Sequence, residues 1–363
     1  MTHTKQTILI VCGPTASGKT SFALEVAKEL LKIHSSINIL SVDSRQVYKD
    51  LDIITGKDIP ADLPQNIHFF GLNIFDIAGS SNLADFLKYS QKVIDDSINS
   101  ITPLIIVGGT GLYLKAITQN LSDVTIPQDL ALRKEIENLP LTELQSRLLE
   151  LNPEKYNSLN NSDINNPRRL IRAIEISTFR SHQPTTTVIS GLTRNPSGIY
   201  RHCEARSAAA IQKNINNQSS NLNPQQVTDT LTPSPPTFLW LGFMPDKTDI
   251  AISIHRRVAE RLQNGAVEEV KSLLDKNPDT TLPIYSSLGV SQIIAYLKSE
   301  ISLSQLEKIW SNAEIDYARR QIVWFKKQPG IIWYDKSSNT KSLALEYAKK
   351  LTKNHEEEKT HQY

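Results

Sequence analysis

The amino-acid sequence predicts an α/β fold with a parallel β-sheet as its core and a helical domain inserted into it. In the first third of the chain, short apolar runs alternate with stretches in which apolar residues recur at helical spacing. Strands that alternate with helices favour a parallel sheet. Each of these runs also ends in a polar or glycine-rich motif, and parallel sheets gather their ligands at such strand ends.

The predicted elements follow one another in the order that this fold requires. Strands are predicted at Thr7–Cys12, Ile37–Val42 and Leu104–Val107, with a helix after the first of them. Helices then follow at Leu130–Leu139, Leu141–Leu151 and Pro167–Arg180. A strand at Phe238–Leu241, a helix beginning near Asp249, further helices to about Lys327 and a last strand at Ile331–Tyr334 complete the chain.

These elements divide the 363 residues into four parts. We expect a catalytic core formed by 1–120 and 237–340, a helical insertion over 121–186, and a solvated C-terminal tail over 341–363. The segment 187–236 is rich in Ser, Thr, Asn, Gln and Pro. Such a composition buries too little apolar area to offset the entropy of ordering, so we predict a disordered insert there.

Composition excludes several classes of protein. Only Cys12 and Cys203 are present, which favours a reducing compartment and argues against a disulfide framework or a zinc site. The N-terminus lacks the pattern of a secretory signal, and the apolar runs are too short to span a bilayer. We therefore expect a cytoplasmic protein without membrane association, with a monomer as the default state.

The first strand runs into a glycine-rich motif of the kind that binds phosphate. The pattern G-x-x-x-x-G-K-[ST] is matched by Gly13, Pro14, Thr15, Ala16, Ser17, Gly18, Lys19 and Thr20. Its glycines let backbone N–H groups fold around phosphate oxygens, and the following helix contributes its positive end. Lys19 is placed to neutralise phosphate charge, and the Thr20 hydroxyl to ligate Mg²⁺. The sequence thus predicts a P-loop NTPase-like core that binds a phosphorylated ligand through these residues.

Polar motifs also follow the second and third strands. The second strand is followed by Asp43, Ser44, Arg45 and Gln46, and the third by Gly108–Gly111, which includes Thr110. Asp43 is suited to accept a proton or to orient Mg²⁺, but it is equally suited to cap a helix. Arg45 and Gln46 offer forked donors for a phosphate or a base edge. Thr110 belongs either to a structural turn or to a ligand site.

Basic residues are concentrated in three stretches, although the net charge is only +2. They are Arg168, Arg169, Arg172 and Arg180; Arg256, Arg257 and Arg261; and Arg319, Arg320, Lys326 and Lys327. Each cluster alone is compatible with a solvated helix face, whereas three together favour a polyanionic ligand. In the second cluster, Arg257 is either a surface residue or a cation that reaches a leaving phosphate group.

Taken in order, these motifs resemble one family. GPTASGKT, DSRQVY, GGTGLYL, NPRRLIRAIEI, RRVAERLQNGAVEEV and YARRQIVWF occur in the order and approximate spacing of the tRNA dimethylallyltransferase family, bacterial type. The resemblance extends from about Ile8 to Trp333, apart from the insert. Within the insert, SGLTRNPSGIYRHCEARSAAAIQ is similar to the peptide that mobile palindromic elements encode in some bacterial genes.

The resemblance implies transfer of the dimethylallyl group from dimethylallyl diphosphate to N6 of adenosine 37 in tRNA. It implies that the P-loop holds the diphosphate with Mg²⁺, that Asp43 accepts or orients the amine proton, and that Thr110 and Arg257 stabilise the leaving group. It further implies that the insertion grips the anticodon stem-loop. The residues expected to contact tRNA are Asp43, Ser44, Arg45, Gln46, Thr110, Arg168, Arg169, Leu170, Ile171 and Arg172.

Two alternatives share parts of this pattern. A P-loop kinase of a nucleoside or small metabolite would use the same loop, Mg²⁺ and an aspartate base, but would consume ATP. A non-catalytic RNA-binding protein would explain the arginines, but it would leave the P-loop motif and Asp43 without a purpose.

Overall fold

The computed structural model describes residues 6–77, 82–119, 121, 123–182, 235–334 and 340–359. Packing divides the chain into two compact units, one formed by Met1–Thr125 with Pro233–Tyr363 and the other by Ile126–Thr232. The sequence predicts the change from core to insertion at 120/121, and the packing places it at 125/126. Apart from its last two residues, the predicted insert at 187–236 lies outside the described residues.

The core of the first unit is a six-stranded sheet in which every pair of neighbouring strands is parallel. The strands are β1 Thr7–Cys12, β2 Ile37–Val42, β3 Ile67–Phe70, β4 Leu104–Gly108, β5 Thr237–Phe243 and β6 Ile332–Tyr334, in the spatial order β3-β2-β4-β1-β5-β6. The α/β class with a parallel sheet is thereby confirmed. Sequence reasoning missed β3 because this edge strand has only four residues, of which Ile67 alone is buried.

The helices of the described residues extend the alternation that the sequence predicts. In chain order they are α1 Lys19–Leu30, α2 Leu83–Asn99, α3 Gly111–Thr118, α4 Leu130–Ile136, α5 Leu141–Leu151, α6 Pro153–Ser158, α7 Asn161–Ile164, α8 Pro167–Ser181, α9 Lys247–Gln263, α10 Ala266–Lys276, α11 Val290–Leu297, α12 Leu303–Lys326 and α13 Thr340–Lys359, with a 3₁₀ turn at Pro283–Ser286. No helix in the described part of the chain is long and apolar enough to cross a bilayer.

Both faces of the sheet are buried, as the continuous apolar strands require. Along β1, Ile8 and Ile10 belong to one core cluster, together with Trp310 and Phe325 of α12. The intervening Leu9 belongs to a second cluster on the other face, which also contains residues of α1 and α13. The central strand therefore has no solvent-exposed side, and its carboxyl end is the part available for a ligand.

The C-terminal segment departs from the prediction of a solvated tail over 341–363. Thr340–Lys359 forms α13, which packs along α1. Its buried residues are Ala344, Tyr347, Ala348 and Leu351. They recur at helical spacing, but the two alanines contribute so little hydrophobicity that the many charged neighbours conceal the pattern.

The second unit is helical in its described part and has a core of its own. Its buried residues come from α4, α5 and α8, and include Ile136, Leu144, Leu148, Leu170 and Ile174. Helix α8 begins at Pro167 because the side chain of Asn166 accepts a hydrogen bond from the Arg169 N–H and proline suits the first helical position.

Candidate active site

Three loops meet at the carboxyl edge of the sheet. Because β4 lies between β2 and β1, the residues that end these strands are direct neighbours: Gly108 is in register with Cys12 on one side and with Val42 on the other. The P-loop, the segment that begins at Asp43 and the loop that contains Thr110 therefore start from the same level of the sheet. Strand order thus brings together the three motifs that the sequence predicts to be functional.

The backbone of the P-loop explains its glycines. Gly13 has a φ of +146°, and a Cβ there would lie 2.5 Å from the carbonyl oxygen of Phe243 on the neighbouring strand β5. Gly18 caps α1 in the left-handed region with a φ of +85°. Both positions are costly for any other residue. The loop consequently turns tightly from β1 into α1, and the start of α1 faces the strand edge where a phosphate would lie.

Lys19 lies inside the P-loop. Its Nζ donates hydrogen bonds to the carbonyl oxygen of Pro14 and to Ser17 Oγ, the latter at 3.4 Å. Burial, together with the positive charge of Arg257, lowers the pKa of Lys19 to about 8, while Asp43 opposes the shift. Lys19 is half-buried, and its desolvated ammonium group lies near a second cation, so the negative charge of a diphosphate would stabilise its charged form.

Asp43 both caps a turn and keeps a free carboxylate oxygen. Its Oδ1 accepts hydrogen bonds from the backbone N–H of Arg45 at 2.8 Å and of Gln46 at 3.4 Å. Its Oδ2 has no hydrogen-bond partner among the described residues. The capping and catalytic interpretations are thus compatible, because the cap fixes the carboxylate and leaves one oxygen for a substrate.

Thr110 joins two of the loops. Its Oγ1 accepts a hydrogen bond from the Ser44 N–H at 3.3 Å, and its side chain lies close enough to the phenol of Tyr317 to lower the pKa of that group in part. Burial and the nearby negative charge of Asp43 raise the pKa of Tyr317 to about 12, so this phenol is neutral at physiological pH. Thr110 therefore belongs to the site rather than to an isolated turn.

The structure distinguishes the two adjacent arginines of α9. Arg257 Nη1 lies 3.4 Å from Thr15 Oγ1 in the P-loop, and Nη2 forms a 2.7 Å ion pair with Asp58. Arg256 points elsewhere: its side chain is 72% exposed and its Nε lies 3.7 Å from Glu260 one turn later. Arg257 is consequently the cation of this cluster that faces the phosphate loop.

A further side chain next to Arg257 is buried. Arg261 forms a 3.2 Å ion pair with Glu314 of α12 and lies over the ring of Trp310 at 5.9 Å. Burial and the charge of Arg257 lower the pKa of Arg261. Gly56, with a φ of +64°, allows both guanidinium groups to approach, because a Cβ there would lie 2.2 Å from Arg261 and 2.9 Å from Arg257.

Gln46 does not have the free amide that the sequence analysis assumes. Its Oε1 accepts a hydrogen bond from Ser41 Oγ at 2.8 Å, and its Nε2 donates to the Gly56 carbonyl at 2.9 Å. The proposed base-edge contact is replaced by an internal role, since this amide ties the Asp43 segment to the turn that accommodates Arg257 and Arg261.

Sequence reasoning missed one face of α12 that lines the site. Glu314, Tyr317, Gln321 and Trp324 follow one another at helical spacing and contact, respectively, Arg261, Thr110, the P-loop and Gly111. The signal was present within YARRQIVWF, where a glutamine occupies a position that the apolar spacing of the helix predicts to be buried. A buried amide requires partners, and its partners here are the P-loop and the loop that contains Thr110.

In the second unit, the residues of the tRNA prediction fall into two groups. Leu170 is 0% exposed and Ile171 is 9% exposed, so they pack in the core and the expected RNA contact is wrong for these side chains. The arginines are at or near the surface. Arg168 is exposed and has no ion-pair partner among the described residues, whereas Arg169 is paired with Asp163.

Arg172 has a structural role in the same unit. It donates a 2.7 Å hydrogen bond to the Ile126 carbonyl and lies 3.3 Å from Glu175. Glu175 is also held by Arg133 at 2.6 Å, and burial, which raises its pKa, is outweighed by these arginines so that the pKa is lowered. Arg172 therefore joins the start of the unit to α8.

The side chains available as ligands restrict how a metal ion could be bound at this site. Within the described residues there is no group of three or more His, Cys, Asp or Glu side chains that could bind a metal ion. Thr20 is exposed on the first turn of α1, directly after Lys19. Mg²⁺ usually retains several waters and is held by one or two protein groups together with substrate phosphates, which this arrangement fits.

Comparisons with known proteins agree on one family. The family model described as IPP transferase matches residues 46–328. A tRNA dimethylallyltransferase of Thermoanaerobacter sp. (strain X514) is 31% identical over 332 residues, which are 90% of this chain and 91% of that protein.

Solved structures share the fold. The full-length tRNA isopentenylpyrophosphate transferase from Bacillus halodurans is similar with a TM-score of 0.60 and 24% identity, over 98% of this chain and 99% of that one. A eukaryotic dimethylallyltransferase acting on tRNA is similar with a TM-score of 0.64 and 19% identity, over 90% of this chain and 74% of that one. At these identities the two structures bear on the fold alone.

Proposed function

Because the chain belongs to the IPP transferase family, we propose that this site transfers the dimethylallyl group of dimethylallyl diphosphate to N6 of adenosine 37 in tRNA. The chain is a tRNA-modifying prenyltransferase, as its relatives named tRNA dimethylallyltransferase are. The observation that supports the site assignment is the meeting of the P-loop, the Asp43 segment and the Thr110 loop at one edge of the sheet.

In the proposed reaction, the adenosine N6 attacks C1 of the dimethylallyl group. The C1–N6 bond forms, the bond from C1 to the diphosphate oxygen breaks, and its electron pair leaves with the diphosphate. Lys19 belongs to the P-loop and Arg257 contacts this loop from α9, so both would neutralise the developing charge. The N6 proton would pass to the free Oδ2 of Asp43, whose position is fixed by its hydrogen bonds to the following turn.

Thr110 is proposed to orient the reacting groups. It accepts a hydrogen bond from the Ser44 N–H, next to Asp43, and lies close to the phenol of Tyr317. Thr20 is proposed to hold Mg²⁺, which would offset part of the charge of the diphosphate. Of the remaining P-loop residues, Ala16, Ser17 and Gly18 would bind the diphosphate through backbone N–H groups. Pro14 has no N–H, and the N–H of Thr15 is donated to Gln321.

Recognition of tRNA is proposed for the second unit as well as for the site. The exposed Arg168 and Arg169 of α8 are suited to contact phosphates of the anticodon stem. The target adenine must leave its stack to reach a catalytic edge of this kind, and loop bases are extruded more easily than helical ones. We propose that the protein is cytoplasmic, since its proposed substrate is tRNA, and that it acts as a monomer.

A direct assay tests the activity. The purified protein is incubated with unmodified tRNA, Mg²⁺ and dimethylallyl diphosphate, and the digested tRNA is analysed by mass spectrometry. We expect an isopentenylated adenosine and release of diphosphate. The comparisons do not favour the P-loop kinase, and a parallel reaction with ATP is its test. Consumption of ATP without prenylation of tRNA would contradict the proposed function.

A further inference from the structure

Gln321 of α12 connects two of the three catalytic loops. Its Oε1 accepts the backbone N–H of Thr15 in the P-loop at 2.8 Å, and its Nε2 donates to the carbonyl oxygen of Gly109 at 2.9 Å. The side chain is only 6% exposed. One buried amide thus bridges the loop that holds the leaving group and the loop that carries Thr110.

The chemistry of the bridge suits a side-chain amide. Thr15 offers a donor and Gly109 an acceptor, so the bridging group must accept at one atom and donate at another. A carboxylate cannot donate, and a hydrocarbon side chain of the same length can do neither. Gly109 is part of the arrangement, because a Cβ at this position would lie 2.6 Å from Gln321 Nε2.

The Thr15 contact also affects how the P-loop is used. Its N–H is directed to Gln321, while its hydroxyl lies 3.4 Å from Arg257 Nη1. Thr15 is therefore held from both sides by protein groups. Its backbone N–H is occupied within the protein, so Thr15 contributes to the position of the loop rather than to the phosphate cradle.

We propose that Gln321 is a positioning residue that holds the P-loop and the Thr110 loop in a fixed position relative to each other during prenyl transfer. This inference rests on the proposed function, because it assigns Gln321 a part in bringing the two substrates to reacting distance. Small displacements of reacting groups cost more in turnover than in binding. Loss of the bridge therefore lowers kcat and leaves the KM values for both substrates nearly unchanged.

Two substitutions separate this role from simple packing. Gln321→Ala removes both hydrogen bonds, and we expect kcat to fall by on the order of 10²-fold. Gln321→Glu accepts from Thr15 in either protonation state but donates to Gly109 only when it is protonated. Its kcat, divided by the wild-type kcat at the same pH, should rise as the pH is lowered from 9 to 6.

Controls make the outcome decisive. Gln328→Glu introduces the same group just after α12, where the amide of Gln328 lies 3.5 Å from the Trp324 carbonyl, and its ratio to the wild type should not change with pH. Near-ultraviolet circular dichroism verifies folding at each pH. If Gln321→Ala does not fold, the pH dependence of Gln321→Glu decides the question within a single protein.

Three results overturn the inference: a Gln321→Ala kcat equal to that of the wild type, a Gln321→Glu ratio that is independent of pH, or a loss of activity that appears only in KM. Failure of the proposed function is distinguishable, since the wild-type protein itself would then prenylate no tRNA.

Discussion

At the scale of single residues, Asp43 has two oxygens with different tasks. Oδ1 caps the turn at Arg45 and Gln46, and Oδ2 is open to a substrate. Asn retains an oxygen that can cap but cannot act as a base. We therefore predict that Asp43→Asn keeps the wild-type melting temperature and tRNA affinity while kcat falls by roughly 10²–10⁴-fold. Single-turnover prenylation and tRNA titration measure the two effects.

The matched variant Asp43→Ala loses the cap as well as the base. We expect it to be as inactive as Asp43→Asn and less stable by about 1 kcal/mol, the usual contribution of a capping side chain. Unchanged turnover in Asp43→Asn would contradict the assignment of Asp43 as the base.

We predict that Lys19 makes binding of the proposed diphosphate substrate dependent on pH. Its pKa of about 8 means that it is charged below this pH and becomes neutral above it. A bound diphosphate favours the charged form and holds the pKa higher, so affinity for dimethylallyl diphosphate is complete below pH 8 and falls by up to about tenfold per pH unit above it. Calorimetric titration at pH 7, 8 and 9 measures this.

Lys19→Arg is the matched control for this prediction. Arginine stays protonated across the range, so any binding that the variant retains should not depend on pH between 7 and 9. An affinity of the wild-type protein that is constant over the same range would show that the charge of Lys19 does not contribute.

At the scale of elements, α12 is held against α9 by a buried ion pair. The side chains of Arg261 and Glu314 are 10% and 12% exposed. Removal of one partner leaves a buried charge uncompensated, so we predict that Glu314→Ala lowers the free energy of unfolding by about 3 kcal/mol. Denaturation in urea measures the change, and the activity should fall with it, because Arg257 shares this surface with Arg261.

The same helix provides an exposed pair as a control. Arg319 and Asp316 are 67% and 56% exposed and lie 2.8 Å apart. Solvent screens this pair, so Asp316→Ala should change the free energy of unfolding by less than about 0.5 kcal/mol. Equal effects of the two substitutions would show that burial of the Glu314 pair has no energetic importance.

Helix α13 is the element whose role differs most from the sequence prediction. The ring of Tyr347 contacts Phe22 of α1 edge-on, with centroids 6.3 Å apart, and is 2% exposed. We predict that Tyr347→Ala lowers the free energy of unfolding by about 3 kcal/mol, as for other buried aromatic residues. The exposed Leu345 of the same helix is the control, and Leu345→Ala should have an effect within about 0.5 kcal/mol. Equal stability of wild type and Tyr347→Ala would contradict the packing of α13.

At the scale of the whole molecule, local sequence patterns predict the P-loop and the motifs at Asp43 and Thr110. They do not predict the residues of distant elements that also line the site. The P-loop, Asp43 and Thr110 can be recognised in the sequence because glycine spacing and strand ends are local features. Gln321 reaches Thr15 across 306 positions of the chain, a contact that depends on where α12 packs. Gln46 was misassigned for the same reason: Ser41 and Gly56 satisfy its amide only once the chain has folded.

The arginines of the helical unit differ in how freely their guanidinium groups can contact RNA. Arg168 is exposed and without an ion-pair partner in the part of the chain that the structure describes, whereas Arg172 is joined to Ile126 and Glu175. A phosphate contact releases counterions, so Arg168→Ala should weaken tRNA binding and reduce the slope of log affinity against log salt by roughly 0.9. Lys134→Ala, which removes an exposed cation elsewhere in the unit, should leave this slope unchanged. Binding measured between 50 and 200 mM salt separates the two, and equal slopes for wild type and Arg168→Ala would exclude a phosphate contact at this residue.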